Sequence, residues 1–158
     1  MTEYADLGAW ALATLRADEN VAAVVIDKFI LRDVIARGII EAGDVTSEHL
    51  TVAQDERRKE GQTEKVLAIV VQDLGEDNFT AQCAVFVYDR YGYTNIRAAR
   101  AVIIAALVNQ PAQLARGALV NAVAFAGRSG HAIDVQFDLD IERITFSGAL
   151  VVERDCYA

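Results

Sequence analysis

Between Cys83 and Tyr88 the chain alternates two sets of apolar side chains, with Cys83, Val85 and Val87 against Ala84, Phe86 and Tyr88. Successive residues of a strand face opposite sides. A segment with no polar side therefore needs cover on both, which makes it a central strand of a sheet with material packed on each face. Asp89-Arg90-Tyr91-Gly92-Tyr93 ends that strand, and Thr94 is placed to cap a helix running from about Asn95 to Asn109, stopped by Pro111. Ile96, Val102, Ile103, Ile104, Leu107 and Val108 cover most of the helix circumference, while Arg97 and Arg100, three residues apart, mark its one polar stripe. A strand, a turn and a helix with little polar surface are thus consecutive in sequence, and each must bury itself against other parts of the chain.

The flanking segments supply those parts. Leu7, Trp10, Ala11 and Leu15 follow helical spacing and predict a helix over about 3–16, with Thr2 as its cap. Asp18-Glu19-Asn20 gives a second start signal, after which Val21 to Ile26 reads equally as a helical turn or as entry to a strand. From Lys28 to Ile40 the apolar spacing is compatible with a helix, though its β-branched content leaves strand pieces open. Leu50 to Ala53 and Val66 to Val71 read as two strands joined by a stretch, 55–65, that contains no apolar side chain and projects into solvent as a charged arm. Leu74 to Asn78 is a turn, Leu119 to Phe125 a strand, and Gly127 to Gly130 a turn. Ile133 to Glu142 alternates apolar and mostly acidic residues, which predicts one strand with an acidic face. The apolar parity then shifts by one before Ile144 and requires a bulge or tight turn near Glu142-Arg143. With 158 residues, 53% of them hydrophobic, and no linker or repeat, the reading is a single α+β domain over 1–158. Its architecture is a mainly antiparallel sheet packed against two or three helices, with a long charged β-hairpin arm.

Charge narrows the function. Fifteen Lys and Arg against 23 Asp and Glu leave a formal net charge of −8, which repels a phosphate backbone and disfavours a nucleic-acid binder. Tyr88, Tyr91 and Tyr93 lack the surrounding positive charge of a base-stacking platform. Two cysteines imply no disulfide framework, the acidic first residues do not read as a secretory signal, and the longest apolar run, Ala101 to Val108, is far short of a membrane span. The signatures of nucleotide loops, nucleophile elbows and zinc motifs are missing from the sequence. His49 and His131 stand alone, Cys83 reads as a buried hydrophobe, and Cys156 has no adjacent base. No enzyme activity, cofactor or metal is expected. The row Asp134, Asp138 and Asp140 reads as a solvated acidic surface, since same-face strand positions lie about 7 Å apart and do not share an ion unaided. Arg57-Arg58-Lys59 is the one basic cluster, and it serves either as a docking arm or as a hairpin tip neutralised by Asp55, Glu56 and Glu60.

The N-terminal helix, the charged hairpin between Val52 and Val66, the unit Ala84 to Gly92 followed by Asn95 to Val108, and the closing strands around Ile133 to Phe137 and Arg143 to Val152 together resemble the tail terminator (tail completion) proteins of long-tailed bacteriophages. Residues 28–48 match least. The resemblance implies a virion protein, assembled in the host cytoplasm, that forms a homo-oligomeric ring, typically of six. Such a ring caps the tail tube, joins it to the head connector or neck proteins, and lets DNA pass without specific binding. Arg57, Arg58, Lys59, Arg97 and Arg100 are then the expected subunit-interface residues, meeting the acidic face of a neighbour. The alternatives are another head-tail connector or neck subunit, and a small metal-dependent enzyme or binding domain that uses the acidic row.

Overall fold

A computed structural model of the chain describes residues 2–26, 30–34, 39–40, 64–89, 92–134 and 139–152. Three helices, α1 (Leu7–Ala17), α2 (Glu19–Ala22) and α3 (Tyr93–Leu107), accompany β1 (Ile30–Val34), β2 (Ile39–Ile40), β3 (Ala68–Glu76), β4 (Thr80–Asp89), β5 (Ala112–Gln113), β6 (Ala118–Val120), β7 (Ala124–Arg128), β8 (Ala132–Asp134) and β9 (Leu139–Val152). The sheet runs β2-β1-β3-β4-β9-β6-β5, with β7 and β8 also paired to β9. Its ladders are antiparallel except for β1 with β3. The fold is α+β, as the sequence pattern indicates. The arm expected at 55–65 and its first strand at 50–53 lie outside the described residues. Over Ile69–Gln72, β3 has β1 on one edge and β4 on the other.

Strand β9 is the spine of the sheet. One edge pairs with β4 from Asp140 to Ala149 without a break in register. The other is covered end to end by three short strands, with β8 opposite Leu139–Ile141, β7 opposite Ile144–Ser147 and β6 opposite Leu150–Val152. Both sheet faces are apolar. Ile69, Val71, Cys83, Val85, Val87, Ile144 and Phe146 join α1 and α3 residues such as Leu7, Trp10, Ile96 and Ile103 in the main core. Residues of opposite parity, Ala68, Val70, Tyr88 and Leu139, form a second cluster with Ile26 and Leu67. The central position expected for Cys83–Tyr88 is the one β4 occupies.

Several local expectations change. Helix α1 starts at Leu7, because Asp6 and not Thr2 caps it, its carboxylate accepting from the Ala9 N–H at 2.7 Å. Tyr4 is drawn instead into a parallel bridge with Leu114. Asp18 caps the short α2, and Val25 then bridges Val66, so both readings of that segment are realised in turn. Residues 30–34 and 39–40, compatible with a helix by spacing, are strands, because 30–33 pair with the open edge of β3 and 39–40 pair in turn with β1. Helix α3 begins at Tyr93 after Gly92, whose φ of 124° suits glycine, and Thr94 does not cap it. Residues 119–125 divide between β6 and β7, since the Val123 N–H and C=O bond to Gln110 and Asn109 in the loop after α3. Gly127 lies within β7 at a register shift, not in a turn.

The segment Ile133–Glu142 is not one strand. Residues β8 and β9 form an antiparallel pair with Asp134 opposite Leu139 and Ile133 opposite Asp140. Alternation carries on through the fold-back, so periodicity alone does not reveal it. Nor is there a bulge at Glu142-Arg143, where the β4–β9 register is continuous. The parity shift has another cause: Leu139 and Ile141 serve the second cluster, Ile144 and Phe146 serve the main core, and Glu142 occupies the core-side position between them.

Close approach also shapes the helix–sheet layer. The Gly8 N–H donates to Asp73 Oδ1 at 3.1 Å, and a Cβ at Gly8 would lie 2.7 Å from the Asp73 Cβ, so glycine sets how near α1 comes to β3. Among the described residues no helix is long and apolar enough to cross a membrane.

The β3–β4 turn is organised by Asp77, whose Oδ1 accepts from the Phe79 and Thr80 N–H groups at 2.7 and 2.8 Å and from the Thr80 hydroxyl. The backbone bond from Phe79, then that from Thr80, hold its carboxyl below the ordinary value of 3.8. A depressed value means that the folded turn favours the ionised form. Its stabilisation is complete above the unfolded pKa and is lost as pH falls through the folded one. In an NMR titration the Phe79 and Thr80 amides should shift together with a midpoint below 3.8, and a midpoint at or above that value would contradict the assignment.

Candidate subunit interface and the ion cluster behind it

Glu142 is fully buried on the core face of β9. An unpaired carboxylate there would be strongly unfavourable, and three side chains converge on it. Arg100 of α3 places Nη1 2.9 Å from Oε1 and 3.0 Å from Oε2. Arg128 of β7 places Nη1 2.9 Å from Oε1. The Tyr93 hydroxyl, at the head of α3, donates to Oε1 at 2.9 Å and accepts from Arg100 and Arg128 at 3.1 and 3.0 Å. The hydrogen bond to Glu142, and after it the neighbouring Tyr93, raise the Arg128 guanidinium further above ordinary arginine. The two arginine side chains differ in setting, 18% exposed for Arg100 and 47% for Arg128.

The cluster continues along the same face. His131 Nε2 lies 2.6 Å from Asp140 Oδ1, and its ring stacks on Tyr93 with centroids 4.7 Å apart. Asp89, also fully buried, stands across the ladder from Asp140 and accepts from Asn95 Nδ2 at 2.9 Å. Like charges on facing strands repel, and here each carboxylate has its own donor. The arrangement pins α3, β4, β7 and β9 together, which is a structural task. Ser129 Oγ donates to the Gly130 carbonyl and accepts from the Arg143 N–H. Burial pushes the Cys83 thiol far up, so it supplies no thiolate. Among the described residues no group of three or more His, Cys, Asp or Glu converges as a metal site would.

The expected interface residues are scattered. Arg97 is exposed on the outer face of α3 and free to meet a neighbour, whereas Arg100 turns inward and is committed to Glu142, so the two do not form one outward stripe. Asp140 is bound to His131, and its position lies on a different strand from Asp134. Asp138 and the cluster Arg57, Arg58 and Lys59 lie outside the described residues, as do His49, Tyr91 and Cys156. Sequence reasoning missed Glu142, Arg128 and the role of His131. One signal pointed to them: the shift of apolar parity at Glu142-Arg143, which marks an acid in a core position.

No protein-family model matches the chain, and no curated protein does. Among solved structures it is similar to a chain from "Virion of native gene transfer agent (GTA) particle", with a TM-score of 0.60 and 16% sequence identity over 92% of this chain and 94% of that one. The two chains share a fold over nearly their whole lengths.

The difference in exposure grades the cost of losing each arginine. Arg100→Leu, which leaves the buried Glu142 with one half-exposed cation, should destabilise by about 3 kcal/mol. Arg128→Ala should cost clearly less than Arg100→Leu, as for a solvent-screened pair. Urea unfolding measures both, and equal costs would contradict the assignment of Arg100 as the principal partner.

Proposed function

We propose that the chain is a structural subunit of a phage-like virion, and within it a tail terminator: a non-enzymatic protein that closes into a ring of six, caps the tail tube and joins it to the head connector. The observation that carries this reading is the likeness of fold, over 92% of the chain, to a chain of a gene transfer agent virion. Three features support the finer role. The order of elements resembles that of tail terminators. A net charge of −8 suits a lumen through which DNA passes, since attraction summed over many phosphates would hold the genome in place. Ring closure needs two different patches on each subunit, and Arg97 on α3 together with Arg57, Arg58 and Lys59 offers cationic patches to an otherwise acidic neighbour. Arg100 and Asp140 are satisfied inside the subunit and hold its shape instead.

Native mass measurement of the purified chain, followed by negative-stain imaging, tests the proposal. The expected result is a closed oligomer with a central hole that attaches to the ends of tail tubes and shows no gel shift with duplex DNA at physiological salt. Charge reversal in Arg57→Glu, Arg58→Glu and Lys59→Glu together should leave monomers. A chain that stays monomeric at every concentration, or that binds DNA tightly, would overturn the reading. Rings that ignore tube ends would move the chain to another connector or neck position.

A further inference from the structure

We propose that the β3–β4 turn is the surface on which the basic cluster of a second copy of this chain docks, with Phe79 as the anchor; this rests on the ring-forming reading above. Phe79 is 75% exposed, more than Ile133 at 63% and well above Leu74, Phe125 and Val151, the other large apolar side chains exposed among the described residues. It does not sit on a loose loop. Asp77 fixes the turn through the Phe79 and Thr80 N–H groups, and the Phe79 carbonyl accepts from the Leu150 N–H at 2.7 Å, tying the turn to β9. An aromatic ring held outward by a rigid turn loses little freedom when a partner covers it, which is the usual character of an interface anchor.

Beside the ring runs a groove of about 520 Å³ whose lining includes Glu76, Asp77, Phe79, Arg116 and Leu150. Its chemistry is that of an arginine acceptor: an aromatic face for a guanidinium to stack on, apolar wall for the methylene stem, and carboxylates for the N–H fork. Within this chain the matching segment is Asp55-Glu56-Arg57-Arg58-Lys59-Glu60, the one run of three consecutive cations. Its pattern complements the groove on both counts, with central cations for Glu76 and Asp77 and flanking acids for Arg116. The acidic row expected to receive it is a poorer acceptor, since Asp140 is already bound to His131. A contact between the turn of one copy and the 55–60 segment of another is heterologous, the kind that closes rings.

Native mass spectrometry of the full chain tests this with Phe79→Ser, Glu76→Arg, and the reversed cluster Arg57→Glu, Arg58→Glu and Lys59→Glu. Both turn residues are exposed, so the thermal midpoint of the first two variants should match that of the parent while the assembled species is lost. Mixing Phe79→Ser, which keeps the basic cluster, with the reversed-cluster variant, which keeps the turn, should give a two-chain species and nothing larger. Adding Glu76→Arg to the reversed cluster should recover larger assemblies. Assembly of Phe79→Ser and Glu76→Arg at the parent's level, or a mixture that stays monomeric, would overturn the docking assignment while leaving the ring reading intact. A parent chain that never assembles would instead remove the ring reading.

Discussion

The pairing of Arg100 with Glu142 is the interaction on which the arrangement of this chain turns. A carboxylate on the core face of a central strand is tolerated only where cations and hydroxyl donors reach it. Arg100, Arg128 and Tyr93 do so from a helix, an edge strand and a helix start. The consequence is geometric. Helix α3 cannot slide along the sheet without breaking the contact of Arg100 Nη1 with both Glu142 oxygens, and β7, a strand whose side chains are largely exposed, is held to β9 by charge as well as by its ladder. His131 and Tyr93 extend the same constraint to Asp140 and so to the start of β9.

Sequence pattern reached the elements whose signal is local. The two apolar faces of Cys83–Tyr88 demanded a central strand, and β4 lies between β3 and β9. The apolar circumference of the helix after Gly92 demanded burial, and Ile96, Ala99, Ile103 and Leu107 supply it. Pattern failed where tertiary partners decide. Residues 30–34 have no signal that separates helix from strand until the open edge of β3 is known. Alternation through 133–142 survives a fold-back because β8 and β9 both alternate, so one strand and two strands read alike. The most instructive failure is the parity shift at Glu142. A bulge is its economical reading if acids are assumed to face solvent, whereas a continuous strand that exchanges one buried face for the other needs a buried acid at the crossing. That acid was visible in the sequence, but its partners lie 14, 42 and 49 residues away and were not.

The same division runs through the candidate interface. Arg97 and Arg100 look alike in sequence, three apart on one helix, yet one faces outward and the other is spent internally. Asp134 and Asp140 of the acidic row likewise lie on two different strands. What remains for assembly is a smaller set of groups: an outward arginine on α3, a basic cluster in the most charged stretch of the chain, and a rigid turn that carries an exposed phenylalanine beside acids. The chain shares its fold with a chain of a gene transfer agent virion, and in the ring proposed above these patches are the unlike surfaces through which identical subunits meet.

The central physical claim is that Arg100 and Glu142 are energetically coupled, and a double-mutant cycle measures that directly. Stabilities of the parent, Arg100→Leu, Glu142→Leu and the double variant, from urea unfolding, give the interaction term with the desolvation costs of the single changes removed. Coupled side chains make the double variant more stable than the sum of the single losses allows, by about 1.5 kcal/mol or more. Additivity within about 0.3 kcal/mol would show that the two side chains do not depend on each other, and that their pairing is not what fixes α3 against β9.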